Sequence, residues 1–344
     1  MTHPFFCSEV SKQAREDLIG SATPYQTFIL IECPFPWTAE AFDSPWVPPA
    51  LKELVAFVKA ARLPIRFLLV NQSLNKGKSD VASPKRIAHP TQVLIYQRSP
   101  HRFCPGYQRY EWRVHHPNEI VPLVQSYLRG QLPGDRIHKR PVRDLLVCVH
   151  GSHDKCCARY GLPFCREAIA TLNTLPDLPI RLWQTSHFGG HRFAPTLIDF
   201  PTGRYYGRMD QAALKAILTR SGAVQLLDSV YRGWSILPTP LQVAEAALMQ
   251  QYGWSWFDYR IAYQILRQRG NSPCIQAKLW AMQPDYNIHT YAVEVIKDSS
   301  KTICLRTSCG ATQESEQTHY GIKSLLHLDT KPAFATIQPT EVSS

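Results

Sequence analysis

Long apolar runs are missing from this chain of 344 residues. Segments such as Thr27–Ile31 and Leu145–Val149 are strand-sized, well short of the ~18 to 20 residues a membrane helix needs. The opening MTHPFFCSEVSKQARED has no apolar stretch followed by small residues, so no secretory leader is expected and the expected protein is soluble and cytoplasmic. Charged residues are sparse at 19%, but hydrophobic ones reach 44%, which excludes global disorder. There is no C-x-x-C, which speaks against a thioredoxin-like thiol oxidoreductase. There is neither a G-x-G-x-x-G nor a G-x-x-x-x-G-K-[ST], so a built-in nucleotide-dependent reductase is not expected. No pair of carboxylates can be nominated for glycoside hydrolysis, which disfavours a hydrolase.

Acidic charge is also short. Lys and Arg number 38 against 27 Asp and Glu, a net charge of +11. The surplus is +7 over residues 1–140, +4 over 141–240 and 0 over 241–344. A solvated basic face is the simplest reading and docking of an acidic partner protein the functional one. Nucleic acid is not expected as a partner, because the basic residues are scattered and not in runs. The length suits two or three domains.

The first region, 1–140, reads as an α/β unit. A polar helix is expected near Ser11–Ile19 and a strand in YQTFILIE. A helix then follows in PPALKELVAFVKAAR, where Leu51, Leu54, Val55 and Val58 recur at helical spacing behind prolines. Strands are expected at Ile65–Val70, Gln92–Tyr96 and Gln108–Val114, and Asn118 could cap a helix ending at Gly130. The second region, 141–236, repeats the order: a strand at Asp144–Val149, a helix over about Phe164–Leu172, strands at Ile180–Thr185 and Thr196–Phe200, a hairpin-like PTGRYYG and a helix over Met209–Ser221. Two units of one element order suggest duplication, and the order suits a thioredoxin-like layer of sheet and helices. Pro238–Pro240 read as a linker to a small C-terminal α+β domain over 241–330. That domain is expected to have two helices within 241–270, strands at Ile275–Trp280, Tyr286–Ile296 and Lys301–Ser308, and a loose tail over 331–344.

The chemistry concentrates in CVHGSHDKCCARYGLPFC and SHFGGHRFAP. Cys148, His150, His153, Cys156, Cys157 and Cys165 fall within 18 residues, and His187 and His191 follow. In a reducing compartment such a cluster points to metal or redox chemistry more than to disulfides. The site would leave the C-terminal end of a buried strand, where α/β folds place their ligands. Gly189 and Gly190 argue against a helix between the two histidines and for a tight loop with bare backbone. Two thiolates and two imidazoles suit tetrahedral zinc and also a 2Fe-2S cluster, and spacing leaves both open. His150 reads as a hydrogen-bond partner near the ligands, Asp154 as the cap of the following helix and Cys165 as core. Cys7, Cys33, Cys104, Cys274, Cys304 and Cys309 have no metal-like company in sequence. The aromatics of YGWSWFDY read as core.

CVHGSHDKCCARYG followed by W-x-x-SHFGGHRFAPTLIDFP-x-G-x-x-YG resembles the sucrase/ferredoxin-like family of thioredoxin-like ferredoxins, with its C-x-H-G-x-x-D-x-x-C and H-x-G-G-H segments. The opening GSATPYQTFILIECPFPWTAEAF is similar to the family's start, so the resemblance spans roughly residues 5–222. It implies a 2Fe-2S cluster with Cys148 and Cys157 on one iron and His187 and His191 on the other, serving electron transfer or redox sensing. Two departures stand out. Cys156, where relatives often lack cysteine, is a possible alternate ligand, and His153, where relatives often carry Arg, adds a titratable group. The alternative is a zinc-stabilised module that binds an acidic partner. Histidine ligation makes a cluster less negative and raises its potential, roughly from −400 mV towards −150 to +300 mV, and a ligating imidazole can make the potential depend on pH. The implied protein is thus an electron carrier more than an enzyme, with an acidic redox partner.

Overall fold

The computed structural model describes residues 5–72, 91–132, 142–175, 178–268 and 274–333. A short helix α1 (Cys7–Gln13) precedes β1 (Thr27–Glu32), α2 (Pro49–Ala60), β2 (Ile65–Asn71), β3 (Thr91–Arg98), β4 (Tyr107–Val114) and α3 (Ile120–Leu128). Then come β5 (Arg143–Cys148), α4 (Lys155–Asn173), β6 (Ile180–Thr185), β7 (Leu197–Phe200), β8 (Arg204–Tyr206) and α5 (Gln211–Thr219). The expected repeat of element order is present. In each half a parallel strand pair is crossed by a helix, β1 with β2 and β5 with β6. An antiparallel strand joins the first member of each pair, β3 beside β1 and β7 beside β5, and a fourth antiparallel strand follows. The near-continuous apolar runs of β1 and β5 follow from this central position, where both faces are covered.

The halves share one sheet of order β4-β3-β1-β2-β6-β5-β7-β8-β9. Their seam is short, Val70 opposite Thr185 and Asn71 opposite Gln184. Side chains reinforce it. Asp144 of β5, fully buried, accepts from Arg181 Nε at 2.6 Å and Nη2 at 2.9 Å, from Trp183 Nε1 at 2.7 Å, and from the Tyr96 hydroxyl of the other half. Arg181 also reaches Glu111 of β4 at 3.0 Å. Tyr96 stacks on Phe200, ring centroids 4.1 Å apart.

Beyond the second half, β9 (Tyr231–Trp234) extends the sheet and α6 (Gln242–Tyr252) follows. The Pro238–Pro240 segment is no exposed linker. It leads into a 3₁₀ turn over Thr239–Leu241, with Leu237 and Leu241 fully buried. Glu245 of α6 enters the core to pair with Arg204 Nη1 at 2.7 Å. The second expected helix is instead β10 (Arg260–Gln268), because Gly253 ends α6 at φ 64 and the chain then pairs antiparallel with β11 (Cys274–Met282). The two expected strands Tyr286–Ile296 and Lys301–Ser308 are one, β12 (Asn287–Leu305), and it pairs with β13 (Ser315–Pro332). The polar β13 gives no alternating signal in sequence, and most of its side chains are half-buried or exposed. Trp256, Phe257 and Tyr259 of the aromatic run are core. The tail expected over 331–344 falls largely outside the described residues. Among the described residues no helix is long and apolar enough to cross a membrane.

Candidate metal centre

The Cys/His segment leaves β5 at its C-terminal end and enters α4 almost at once. The helix starts at Lys155 and not near Phe164, because Asp154 caps it: its backbone is extended and Oδ1 accepts from Cys156 N at 2.9 Å. Cys156 and Cys157 therefore lie in its first turn. The helix crosses β5 closely enough that a Cβ on Gly161 would stand 2.1 Å from the Cys148 carbonyl oxygen. Pro163 lies inside this helix. Similarly, α1 covers Cys7–Gln13 and not Ser11–Ile19.

Cys148 and Cys157 are buried side by side, and with His187 they present ligand atoms all within 4.8 Å of one another. His187 Nδ1 stands 3.9 Å from Cys148 Sγ and 3.7 Å from Cys157 Sγ. The His191 ring lies 5.0 Å from that of His187, with Nδ1 3.4 Å from the Asp154 carboxylate and 3.4 Å from Cys7 Sγ. Gly189 and Gly190, at φ 102 and 79, make the loop between the histidines. It is held from outside by two guanidiniums, since Arg66 Nη2 donates to the His187 carbonyl at 2.5 Å and Arg232 Nη1 to that of Gly189 at 3.1 Å. A Cβ on Gly190 would lie 2.5 Å from Arg232 Nη2.

The first half clamps this turn. His150 Nε2 lies 2.7 Å from the Thr38 carbonyl, Ser152 donates to Trp37 O at 2.7 Å and His153 Nδ1 lies 3.1 Å from Ala39 O. His150 Nδ1 also accepts from His187 N at 3.2 Å. His150 is thus a fixing residue with both ring nitrogens engaged. His153 stacks on His187, centroids 4.2 Å apart. Both rings line a cleft of about 610 Å³ shared with Lys52, Lys59, Arg66 and Glu40.

Burial, with His153, His191 and Arg66 nearby, pushes the His187 pKa down to about 2. Burial likewise lowers His191 against the pull of Asp154, and lowers His150. These imidazoles are therefore neutral, the form that ligates metal. The Cys157 thiol is raised by its hydrogen bond with Cys148 and by burial. Burial opposes ionisation of Asp154, yet the N–H groups of Cys309 and Cys156 hold it below the ordinary carboxylate value.

Cys156, one helical step of roughly 100° from Cys157, faces a second pocket. Its Sγ is 3.6 Å from Cys7 Sγ and 3.3 Å from Cys309 Sγ, and accepts from Ser8 Oγ at 3.2 Å. Cys7 and Cys309, without metal-like company in sequence, thus have it in space, and chains of 149 and 153 residues' separation from Cys156 gave no signal for it. Arg66 and Arg232 were equally invisible, because each reaches the loop from a distant strand. Cys165 is fully buried.

Two thiols and the imidazole of His187 in one pocket fit a thiophilic metal centre, while the His191 ring stands beside His187 with its Nδ1 turned to Cys7 and Asp154. Neither the curated proteins nor the solved structures yielded a match to this chain. Residues 18–233, more than half of the chain, match the family model described as Sucrase/ferredoxin-like, and the chain belongs to that family.

Proposed function

We propose that the protein carries a 2Fe-2S cluster on Cys148, Cys157, His187 and His191 and transfers single electrons to an acidic redox partner in the cytoplasm. The observation that carries this reading is the convergence of Cys148 at the end of β5, Cys157 in the first turn of α4 and His187 just past the end of β6, with the His191 ring against His187. Such a cluster exchanges one electron at a time, at a potential that imidazole ligation raises. The chain's own residues supply the rest. Arg66 and Arg232 fix the loop that presents the histidines. Asp154 faces His191 Nδ1, the position of a carboxylate that orients a ligating imidazole. His187 and His153 line the cleft and give the centre its opening towards a partner. The basic surplus of residues 1–240 favours an acidic one.

A second reading, a zinc-stabilised interaction module, draws support from one measurement. The 3.7 and 3.9 Å separations of His187 Nδ1 from the two thiols are close to the edges, about 3.6 Å, of a tetrahedron around one zinc ion. Metal analysis and EPR of anaerobically purified protein decide between the two. Iron at two atoms per chain, visible absorption and a rhombic EPR signal on reduction are expected. His187→Cys should keep the iron and lower the potential. Colourless protein with zinc and no iron at this site favours the second reading, and an unchanged spectrum and potential in His187→Cys overturns the ligand assignment.

A further inference from the structure

The first turn of α4 divides its two adjacent thiols between two pockets, and the second pocket is built from three distant parts of the chain. Cys7 comes from α1, Cys156 from α4 and Cys309 from the turn between β12 and β13. Their sulfurs form a triangle of 3.6 Å (Cys7–Cys156), 3.3 Å (Cys156–Cys309) and 3.7 Å (Cys7–Cys309). Asp154 closes the fourth corner, with Oδ1 3.8 Å from Cys7 Sγ, and all four side chains offer ligand atoms within 4.8 Å of one another. A zinc ion with sulfurs at about 2.3 Å has S···S edges of about 3.8 Å, and its carboxylate-to-sulfur edges are slightly shorter. The observed triangle needs adjustments of a few tenths of an ångström to meet that figure. A disulfide would instead bring one pair to about 2.05 Å and leave the third thiol over.

The surroundings suit a closed structural site. Cys7 and Cys156 are fully buried and Asp154 is 4% exposed. Outer hydrogen bonds hold the donors: Cys309 N and Ser308 Oγ donate to Asp154 Oδ2 at 2.8 and 3.1 Å, and Ser8 Oγ donates to Cys156 Sγ. We propose that Cys7, Cys156, Cys309 and Asp154 bind one zinc ion that ties the N-terminal helix and the C-terminal hairpin to α4. The site shares no ligand with Cys148, Cys157, His187 and His191, and it adjoins that centre where His191 Nδ1 stands 3.4 Å from Cys7 Sγ and from Asp154 Oδ2. It stands whether that centre holds iron or zinc.

The test uses the full chain. Protein purified anaerobically should contain one zinc per chain in addition to the metal of the Cys148/Cys157 centre. Cobalt(II) added in place of that zinc should give thiolate-to-cobalt charge-transfer bands and intense tetrahedral d–d absorption. Cys309→Ser, a change in a half-buried turn, should lose that zinc and those bands, weaken zinc binding at least 100-fold and retain wild-type iron content. Zinc should also slow maleimide labelling of Cys7, Cys156 and Cys309 at least 10-fold while the exposed Cys304 labels at its original rate. Equal zinc and cobalt binding by the wild type, Cys7→Ser and Cys309→Ser, or labelling unaffected by zinc, overturns the proposal. Loss of the other centre's metal together with the zinc in Cys309→Ser also overturns it, since it would mean one shared site.

Discussion

Cys156 and Cys157 differ by one step along α4, a rotation of roughly 100°, and that step sends them to different pockets. Cys157 Sγ is 3.7 Å from His187 Nδ1, whereas Cys156 Sγ is 3.6 Å from Cys7 Sγ. Cys157→Ser is therefore expected to abolish iron binding and visible absorption, and Cys156→Ser to retain both, with iron measured per chain after anaerobic purification. Retention of iron in Cys157→Ser with loss in Cys156→Ser would exchange their roles. The chain alone leaves the two thiols in competition because the helical phase is hidden. Asp154 reads as a helix cap, but Pro163, costing about 3 kcal/mol inside a helix, moves the expected helix start to near Phe164 and leaves both thiols in a turn. The cap at Asp154 restores the phase, and only then do adjacent residues point apart.

At the scale of elements, the β-strands and the repeated order were legible because β1 and β5 are buried on both faces and read as unbroken apolar runs. The joint between the halves was not, since it depends on pairings across long separations. Asp144 illustrates this. In sequence it is the polar start of an apolar strand, but in the fold it collects Arg181, Trp183 and Tyr96 and lies 3.6 Å from Arg109. Asp144→Asn removes one of the two carboxylates beside Arg181 and leaves it Glu111, and hydrogen bonds to charged groups are worth about 1.5 to 3 kcal/mol. A fall of that size in urea-unfolding stability is expected. A loss below about 1 kcal/mol would show that the network is incidental to the seam. The second expected helix failed for a related reason. Ile261, Tyr263 and Ile265 recur at strand spacing, and pairing with β11 decides their conformation.

Two predictions belong to the molecule as a whole. The first concerns pH. Burial lowers the pKa of His319, with Glu16 opposing, and lowers those of His150, His187 and His191. In the unfolded chain these groups take up protons below about pH 6.5, while burial in the fold resists the proton. The unfolded state then binds more protons, so the contribution of these histidines to stability falls as pH drops below about 6.5, by up to about 1.4 kcal/mol per pH unit for each group. Urea melts of metal-free protein at about pH 7.5 and 5.5 should show the fall, and His319→Gln should make it shallower. A pH-independent midpoint would contradict this account.

The second concerns where the folding unit ends. The family match stops at residue 233, yet the packing continues. Gln242 bonds the backbone N and O of Ala22 at 3.2 and 2.8 Å. Glu245 accepts from Arg204, from Trp256 Nε1 at 2.7 Å and from the Tyr231 hydroxyl at 2.9 Å, all of them buried. A chain cut after Leu237 leaves Arg204 of β8, one strand in from the edge of the sheet, without its carboxylate, and breaking such a pair costs about 3 to 5 kcal/mol. It also uncovers Trp234 and the β8–β9 face. Domains of this kind are stable by only about 5 to 15 kcal/mol, so the 1–237 fragment should show no cooperative thermal transition, or one lowered by more than 10 °C. Arg204→Met within that fragment should recover part of the loss, because the stranded charge is then gone. A fragment melting with the full chain would place the folding boundary at the end of the family match, whereas rescue by Arg204→Met would locate the requirement in the Arg204–Glu245 pair.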